Sequence, residues 1–357
     1  MDLAIVGLPL SGKTTVFSAL NAGHGSGGAR QEQIGIVRIP DERLDKLAAL
    51  VSAKKITPIE VQLHDLPPVF QRGAGPGGES SETLAKADAL IHVVRAFHRD
   101  DVPHPLTSVD PHRDIETFEG DLMLNDLGIV ERRLEKLEIT VRSSRPGERE
   151  AGEREKILLQ RLQQHMESEL PLRNQMSDPE ELKAIANYGL LSVKPMLILL
   201  NLDEADAARA QALEEEYQGR HGAVCTSVAA MCAKLESELV ELPPEESAEF
   251  RREIGGGDVP TRRILRKTQD LLSLVTFFTA GDESRAWTVR AGSTALQAAG
   301  RIHTDIERGF IRAEVIAWDK LLEMGSEANA KKHGLLRREG KQYIVQDGDV
   351  INVLFNV

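Results

Sequence analysis

The sequence predicts an α/β protein with a mostly parallel sheet, interrupted by a long helical hairpin and followed by a smaller third domain. Three observations predict it. Short apolar runs of strand length, Leu3 to Val6, Val61 to Leu63, Ala89 to Val94, Met196 to Leu200 and Ala223 to Cys225, alternate with helical patterns such as Lys13 to Asn21 and Asp41 to Val51. Such alternation marks parallel strands covered by helices on both faces. The rhythm stops after His112 and resumes only at Met196, and from Leu272 short alternating runs with Gly turns replace it.

Bulk properties agree with a folded chain of several domains. Its 357 residues suffice for two to three domains of about 100 to 200 residues each. A composition 41% hydrophobic and 28% charged excludes wholesale disorder and collagen-like repeats. No apolar run approaches the roughly 18 residues of a membrane span, and no basic region precedes Leu3, so neither a membrane partner nor a cleaved leader is expected. The expected compartment is the cytoplasm. Cys225 and Cys232 are too few for a disulfide framework, and no Cys/His cluster has zinc spacing. A metal would therefore arrive with a ligand.

The formal charge of -12 argues against a generic nucleic-acid coat, and no DNA partner is expected. Its distribution is uneven. Residues 261–357 carry 15 Lys+Arg against 12 Asp+Glu, a net of +3, which leaves 29 against 44, or -15, for residues 1–260. The basic tail either solvates a small domain or faces a polyanion.

From the N-terminus, the first apolar run ends in Gly7-Leu8-Pro9-Leu10-Ser11-Gly12-Lys13-Thr14, which fits G-x-x-x-x-G-K-[ST]. This spacing lets successive backbone N–H groups wrap a phosphate, places Lys13 on the outer phosphates and sets the Thr14 hydroxyl toward Mg²⁺. The motif follows a predicted strand and opens a predicted helix, the context it requires. The Gly-rich stretch His24 to Gly28 reads as a loop without a phosphate role. A Mg²⁺-nucleotide site also needs an acid at a neighbouring strand end, and Asp65 stands after Ile59 to Leu63. Base recognition needs an amide and an acceptor on a later strand end. Asn201-Leu202-Asp203-Glu204 follows Leu200 directly, although a helix N-cap is an alternative use of that tetrad.

Between these strands, residues from Ile115 to about Leu170 are helical in pattern. Leu122, Leu124, Leu127, Ile129, Leu134 and Leu137 are followed, after the turn signal Arg142 to Gly147, by Ile157, Leu158, Leu159, Leu162, Met166 and Leu170. The dense Glu and Arg leave a narrow apolar seam, which suits a protruding antiparallel coiled coil better than a bundle pair. At the C-terminus, Asp347-Gly348 between Tyr343 to Val345 and Val350 to Phe355 signals a hairpin.

In this order the motifs resemble the Obg-like, or YchF, family of P-loop nucleotidases over nearly the whole chain. Phe278-Thr279-Ala280-Gly281, Arg285 to Val289, Ile302 to Asp305, Gly309 to Glu314 and Tyr343 to Val350 look like that family's C-terminal TGS domain, a β-grasp module. Pro40 to Leu47, His92 to Phe97 and Asp114 to Thr117 look like its N-terminal part. The resemblance implies a discontinuous nucleotide-binding domain at 1–114 and 190–271, a helical hairpin insertion at 115–189 and a TGS-like domain at 272–357. It further implies ATP, or in some members GTP, as ligand, Mg²⁺ as cofactor, and the ribosome or ribosomal RNA as partner.

Residue by residue, Leu10, Ser11, Gly12, Lys13, Thr14 and Thr15 match the family's nucleotide loop, with Thr14 and Asp65 on the metal. Asn201 and Glu204 keep an Asn-x-x-Glu form in place of the guanine-reading Asn-Lys-x-Asp, and Leu202 matches the residue whose backbone meets the base. Ser227 to Ala230, with Ser227, Ala229 and Ala230 as contacts, match the loop closing over the base. His104 matches a histidine assigned to hydrolysis, against the alternative of a solvated loop residue. The departures are Leu10 in place of an Asn linked to potassium, a loop from Gly23 to Gln33 lacking the Thr that completes the metal shell, and Pro68 where the family has Gly. Proline has no N–H to offer a γ-phosphate. The implied function is Mg²⁺-dependent ATP or GTP binding with weak hydrolysis and a ribosome-linked role in translation or stress. The alternative is a non-hydrolysing adaptor acting through its C-terminal domain and hairpin.

Overall fold

Strand β1 (Asp2–Val6) runs through the centre of a six-stranded sheet and is buried from Leu3 to Val6. The computed structural model describes residues 1–21, 32–67, 78–143, 145–253 and 259–356. After β1 come helix α1 (Lys13–Leu20), β2 (Gln33–Ile39), α2 (Glu42–Val51), β3 (Lys55–Thr57), β4 (Ile59–Asp65), α3 (Gly78–Lys86) and β5 (Ala89–Ala96). The sheet continues with β6 (Met196–Leu202) and β7 (Thr226–Met231), giving the order β2-β4-β1-β5-β6-β7. From β4 to β7 neighbouring strands are parallel. Strands β1, β5 and β6 are buried on both faces, which is why they read as continuous apolar runs.

The insertion consists of α4 (Pro111–Ser143) and α5 (Pro146–Glu167). At about 1.5 Å per residue, the 33 residues of α4 extend about 50 Å. Met123, Val130 and Leu137 recur at seven-residue spacing and share one buried cluster with Leu159, Leu162 and Met166, while Leu124, Ile139 and Ile157 point outward. Polar groups pin its root. Arg173 donates from Nη1 to both Glu119 oxygens at 2.7 and 2.8 Å and from Nε to the Lys194 carbonyl at 2.8 Å. Asp126, fully buried, accepts from the Leu191 and Ser192 amides at 3.0 and 2.7 Å.

The chain forms two compact units, Met1–Val37 with Gln62–Leu271, and Arg38–Val61 with Leu272–Val357. In the second, β8 (Leu274–Thr279), β9 (Glu283–Arg290), β10 (Phe310–Ala317), β11 (Arg337–Glu339) and β12 (Asp349–Phe355) form a mixed sheet of order β11-β10-β12-β8-β9-β3. One face packs on the helix Ala295–Ile302, which starts with a Thr294–Gln297 capping box and buries Ala295, Ala298 and Ala299 against Phe277, Val289 and Val315.

Three expectations need correction. Residues 38–61 group with the C-terminal sheet: β3 pairs in parallel with β9, Lys54 and Lys55 salt-bridge Asp282 and Glu283, and Arg43 donates to Asp347 at 2.6 Å while lying over the Phe278 ring. The strand expected at Ala223 to Cys225 begins instead at Thr226, because Ala223 and Thr226 close a tight bridge before it. Asp347-Gly348 is a turn but not a two-strand hairpin. Ile344 makes only an isolated bridge to Thr294, whereas β12 pairs with β10 and β8. Pro68, the stretch His24 to Gly28, most of the loop Gly23 to Gln33, and Ser144 in the expected turn lie outside the described residues.

Candidate functional site

In an open parallel sheet, ligands bind beyond the carboxyl ends of the strands. Here those ends bring together Gly7 after β1, Asp65 at the end of β4, Phe97 after β5, Asn201 and Leu202 in β6, and Cys232 after β7. Gly7 and Gly12 have φ of 144° and 91°, and Leu10 has φ of 63°, so the segment between β1 and α1 turns its backbone into a cradle. A Cβ on Gly7 would strike the Val93 carbonyl, and one on Gly12 would strike Nδ2 of Asn201. Helix α1 begins without a side-chain cap and without an acid in its first turn, so no side chain of its own offsets its N-terminal N–H groups and positive dipole end.

Lys13 is buried in the cradle, its Nζ donating to the Gly7 and Leu8 carbonyls at 3.1 and 3.0 Å. Burial lowers its pKa from 10.5 to about 8, with Asp65 opposing the shift. Thr14 Oγ1 donates to Asp65 Oδ2 at 2.8 Å. The second carboxylate oxygen of Asp65 is buried with no hydrogen-bond partner, as is Ser11 Oγ. Burial raises the Asp65 pKa, against the Thr14 hydrogen bond and the nearby Lys13. An orphaned carboxylate oxygen beside a threonine hydroxyl and a helix N-terminus fits a hard cation carried by a phosphate.

Asn201 acts as a clamp. Its Nδ2 donates to the Ser11 carbonyl at 3.0 Å and its Oδ1 accepts from the Ala233 amide at 3.2 Å, joining the cradle to the helix Ala233–Leu239. Its amide, expected at the base, is therefore engaged between two loops. Beside it opens a cleft of about 670 Å³ lined by Gly12, Thr15, Phe97, Arg99, Asn201 to Asp206, Cys232 and Lys234. Within it Glu204 accepts from Lys234 Nζ at 2.6 Å.

Two expected placements change. Ser227, Ala229 and Ala230 lie inside β7, paired with Leu197, Leu199 and Leu200, and the two alanines are fully buried. The segment reaching the cleft begins at Cys232, because β7 runs to Met231. His104 is a buried side chain with both nitrogens occupied: Nδ1 accepts from the Leu106 amide at 3.1 Å, which leaves Nε2 to donate to Asp114 at 2.8 Å. It is neither solvated nor free to hold a water. Phe97, Arg99, Cys232 and Lys234 were not among the site residues suggested by the sequence. The only available signal for them was position, immediately after strands β5 and β7.

"Ribosome-binding ATPase YchF" of Haemophilus influenzae is 39% identical over 365 residues, covering 99% of this chain and 98% of the relative. The chain belongs to the YchF family. The Bacillus subtilis YchF protein of the same description is also 39% identical, over 368 residues and the full length of both chains. Residues 274–356 match the family YchF-GTPase_C, described as "Protein of unknown function (DUF933)". The solved structure of the Schizosaccharomyces pombe YchF GTPase superposes with a TM-score of 0.82 at 27% identity, covering 99% of this chain and 97% of that one. The YchF architecture thus accounts for the parallel-sheet domain, the long α4–α5 hairpin and the C-terminal mixed sheet.

Proposed function

We propose that this YchF protein binds ATP with Mg²⁺, hydrolyses it slowly and acts on the ribosome. The observation that carries the reading is the cradle at the strand ends, where Lys13, Thr14, Asp65 and the open N-terminus of α1 converge beside a cleft of nucleotide size. In it, Leu10 to Thr15 supply backbone N–H groups to the phosphates, Lys13 neutralises outer phosphate charge, and Thr14 and Asp65 would hold Mg²⁺. The bound ion would neutralise phosphate oxygens. Asn201, Leu202 and Glu204 border the base, with Asn201 acting through the clamp and not by direct pairing.

ATP is favoured over GTP by the Glu204–Lys234 pair. Guanine needs an acceptor for N1–H and the exocyclic amine, and Lys234 already occupies Glu204, whereas adenine offers neither donor. The ribosome enters through the names of the relatives, which are ribosome-binding ATPases. The +3 balance of residues 261–357 is compatible with phosphate contacts, including Arg301, His303, Arg308 and Arg312.

A second reading, a nucleotide-binding adaptor without useful turnover, is favoured by the engaged state of His104. One preparation separates them. ATP and GTP affinities with and without Mg²⁺, single-turnover hydrolysis, and co-sedimentation with ribosomes over a salt series should give Mg²⁺-dependent ATP binding and salt-sensitive pelleting. Absent pelleting at low salt, with and without nucleotide, removes the ribosome. Binding without any single-turnover product leaves the adaptor.

A further inference from the structure

Residues 97–110 connect β5 to α4 without helix or strand, yet Phe97 and Arg99 at their start line the cleft. We propose that Arg95 is the positioning residue that builds this wall, holding the connection in shape from within β5 and presenting Phe97 to the base of the nucleotide. The inference rests on the reading that the cleft receives the base.

Arg95 is only 3% exposed. Its guanidinium donates to four backbone carbonyls of one loop: Nε to Phe97 at 3.2 Å, Nη1 to Pro103 at 3.3 Å, and Nη2 to Arg99 at 3.4 Å and Val102 at 3.0 Å. The same group lies 4.6 Å from the centroid of the Phe97 ring. A planar fork with five N–H donors suits this task, since it meets carbonyls on several sides and stacks on an aromatic face at once. A lysine ammonium would reach fewer of them and would not stack as a plane.

Register explains why this residue has the role. Arg95 pairs with Asn201 across β5 and β6, so two adjacent strand-end side chains each organise loops around one cleft. Asn201 ties the cradle to the segment after β7, and Arg95 shapes the segment after β5. From the far side of the loop, His98 N donates to Asp203 at 2.8 Å, so the wall is held at both ends of its first turn. Phe97 also approaches the Gly12 position, which sets its ring next to the cradle. The guanidinium against the Phe97 ring thus holds that ring where it lines the cleft.

The test compares the affinities of full-length protein for Mg²⁺-ATP and for Mg²⁺-triphosphate, which lacks sugar and base. Wild type should bind ATP at least about tenfold more tightly, as base–aromatic stacking requires. Arg95→Lys and Phe97→Leu should each remove about tenfold in ATP affinity while leaving triphosphate affinity unchanged. The double variant should be no weaker than either single variant, because both act through one contact. Amide exchange should quicken over residues 97–103 in Arg95→Lys and stay unchanged in β5 and β6. If wild type binds triphosphate as tightly as ATP, the base reading of the cleft fails, and this inference with it. If wild type prefers ATP and Arg95→Lys keeps that preference, loses both ligands equally or loses the fold, the positioning role alone is overturned.

Discussion

Thr14 Oγ1 donates a 2.8 Å hydrogen bond to Asp65 Oδ2 across 51 residues of sequence, from the first turn of α1 to the last residue of β4. The bond spends one carboxylate oxygen and leaves the other buried and unpaired. Burial raises the Asp65 pKa and lowers that of Lys13 to about 8, so both groups would gain from a ligand that brings phosphate and a cation together.

Lys13 gives the first prediction. Unfolded, it titrates near 10.5, and in the folded apo protein near 8. Between those values unfolding takes up a proton, so the apo protein gains stability as pH rises through the window. Bound phosphate raises the Lys13 pKa again, so binding takes up a proton above about pH 8. ATP affinity should therefore be flat near pH 7 and fall above about pH 8, by at most about tenfold per pH unit. Lys13→Arg should flatten that profile, because guanidinium keeps its charge. Lys13→Ala should weaken binding about tenfold to hundredfold at pH 7 while leaving the fold intact. Isothermal titration over this range checks all three, and unchanged affinity in Lys13→Ala would exclude the phosphate cradle.

The cradle glycines should differ in tolerance. Both have positive φ, which costs an L side chain roughly 1 to 2 kcal/mol, and both leave no room for a Cβ. The obstacle to Gly7→Ala is the Val93 carbonyl, fixed in the central strand β5; the obstacle to Gly12→Ala is the Asn201 side chain, which can swing away. Gly7→Ala should therefore lose more stability, about 2 to 4 kcal/mol. Gly12→Ala should lose less stability but more nucleotide affinity, because displaced Asn201 releases Ser11 and Ala233. Denaturant melts beside ATP titrations would show the opposite ranking if the clamp were dispensable.

Which features were legible in the sequence follows from how far apart their causes lie. The phosphate loop is local: strand, turn glycines and helix start occupy about a dozen adjacent residues, and its geometry is encoded there. The helical hairpin was legible because apolar residues recur along it: Leu127, Ile129, Leu134 and Leu137 join its buried cluster, although Leu124 points outward and the seam residues Met123 and Val130 were not read. The placement of residues 38–61 was not, since β3 is only three residues long and finds β9 more than two hundred residues away. The base-side loop, placed at Ser227 to Ala230 by the family resemblance, came a few residues early because the strand read at Ala223 to Cys225 begins at Thr226 and pairs those residues with β6. His104 was read by its match to a family histidine or as a solvated loop residue, while Asp114, ten residues on in α4, holds its ring.

Base choice turns on Lys234. Its pair with Glu204 is solvent-exposed on both sides, so it holds the carboxylate only weakly. Wild type should bind ATP at least as tightly as GTP. Lys234→Ala should shift the ratio toward GTP by up to about fivefold, as Glu204 becomes free to accept from guanine. Competition titrations with both nucleotides measure the ratio directly. A wild type favouring GTP tenfold or more would contradict the assignment, and an unmoved ratio in Lys234→Ala would place the base away from Glu204.

Hydrolysis should be slow, with turnover well below about 1 s⁻¹. Phosphoryl transfer depends on positioning and charge stabilisation, and the loss of one well-placed donor typically costs about 10² to 10³ in rate. The sequence carries Pro68 where the family resemblance implies a glycine, and proline has no N–H to donate. His104 does not compensate, because Asp114 and the Leu106 amide occupy both ring nitrogens within a loop flanked by Pro103 and Pro105. His104→Asn should therefore reduce stability through the lost buried contact to Asp114 and leave the single-turnover rate within about twofold. Pro68→Gly, which restores the residue and the N–H that the family resemblance implies at this position, should raise that rate by more than any substitution at His104. A wild-type rate above about 1 s⁻¹ would mean that other residues replace the missing groups, and a His104→Asn loss of a hundredfold with the fold intact would mean that His104 leaves Asp114 when nucleotide binds and takes part in the reaction.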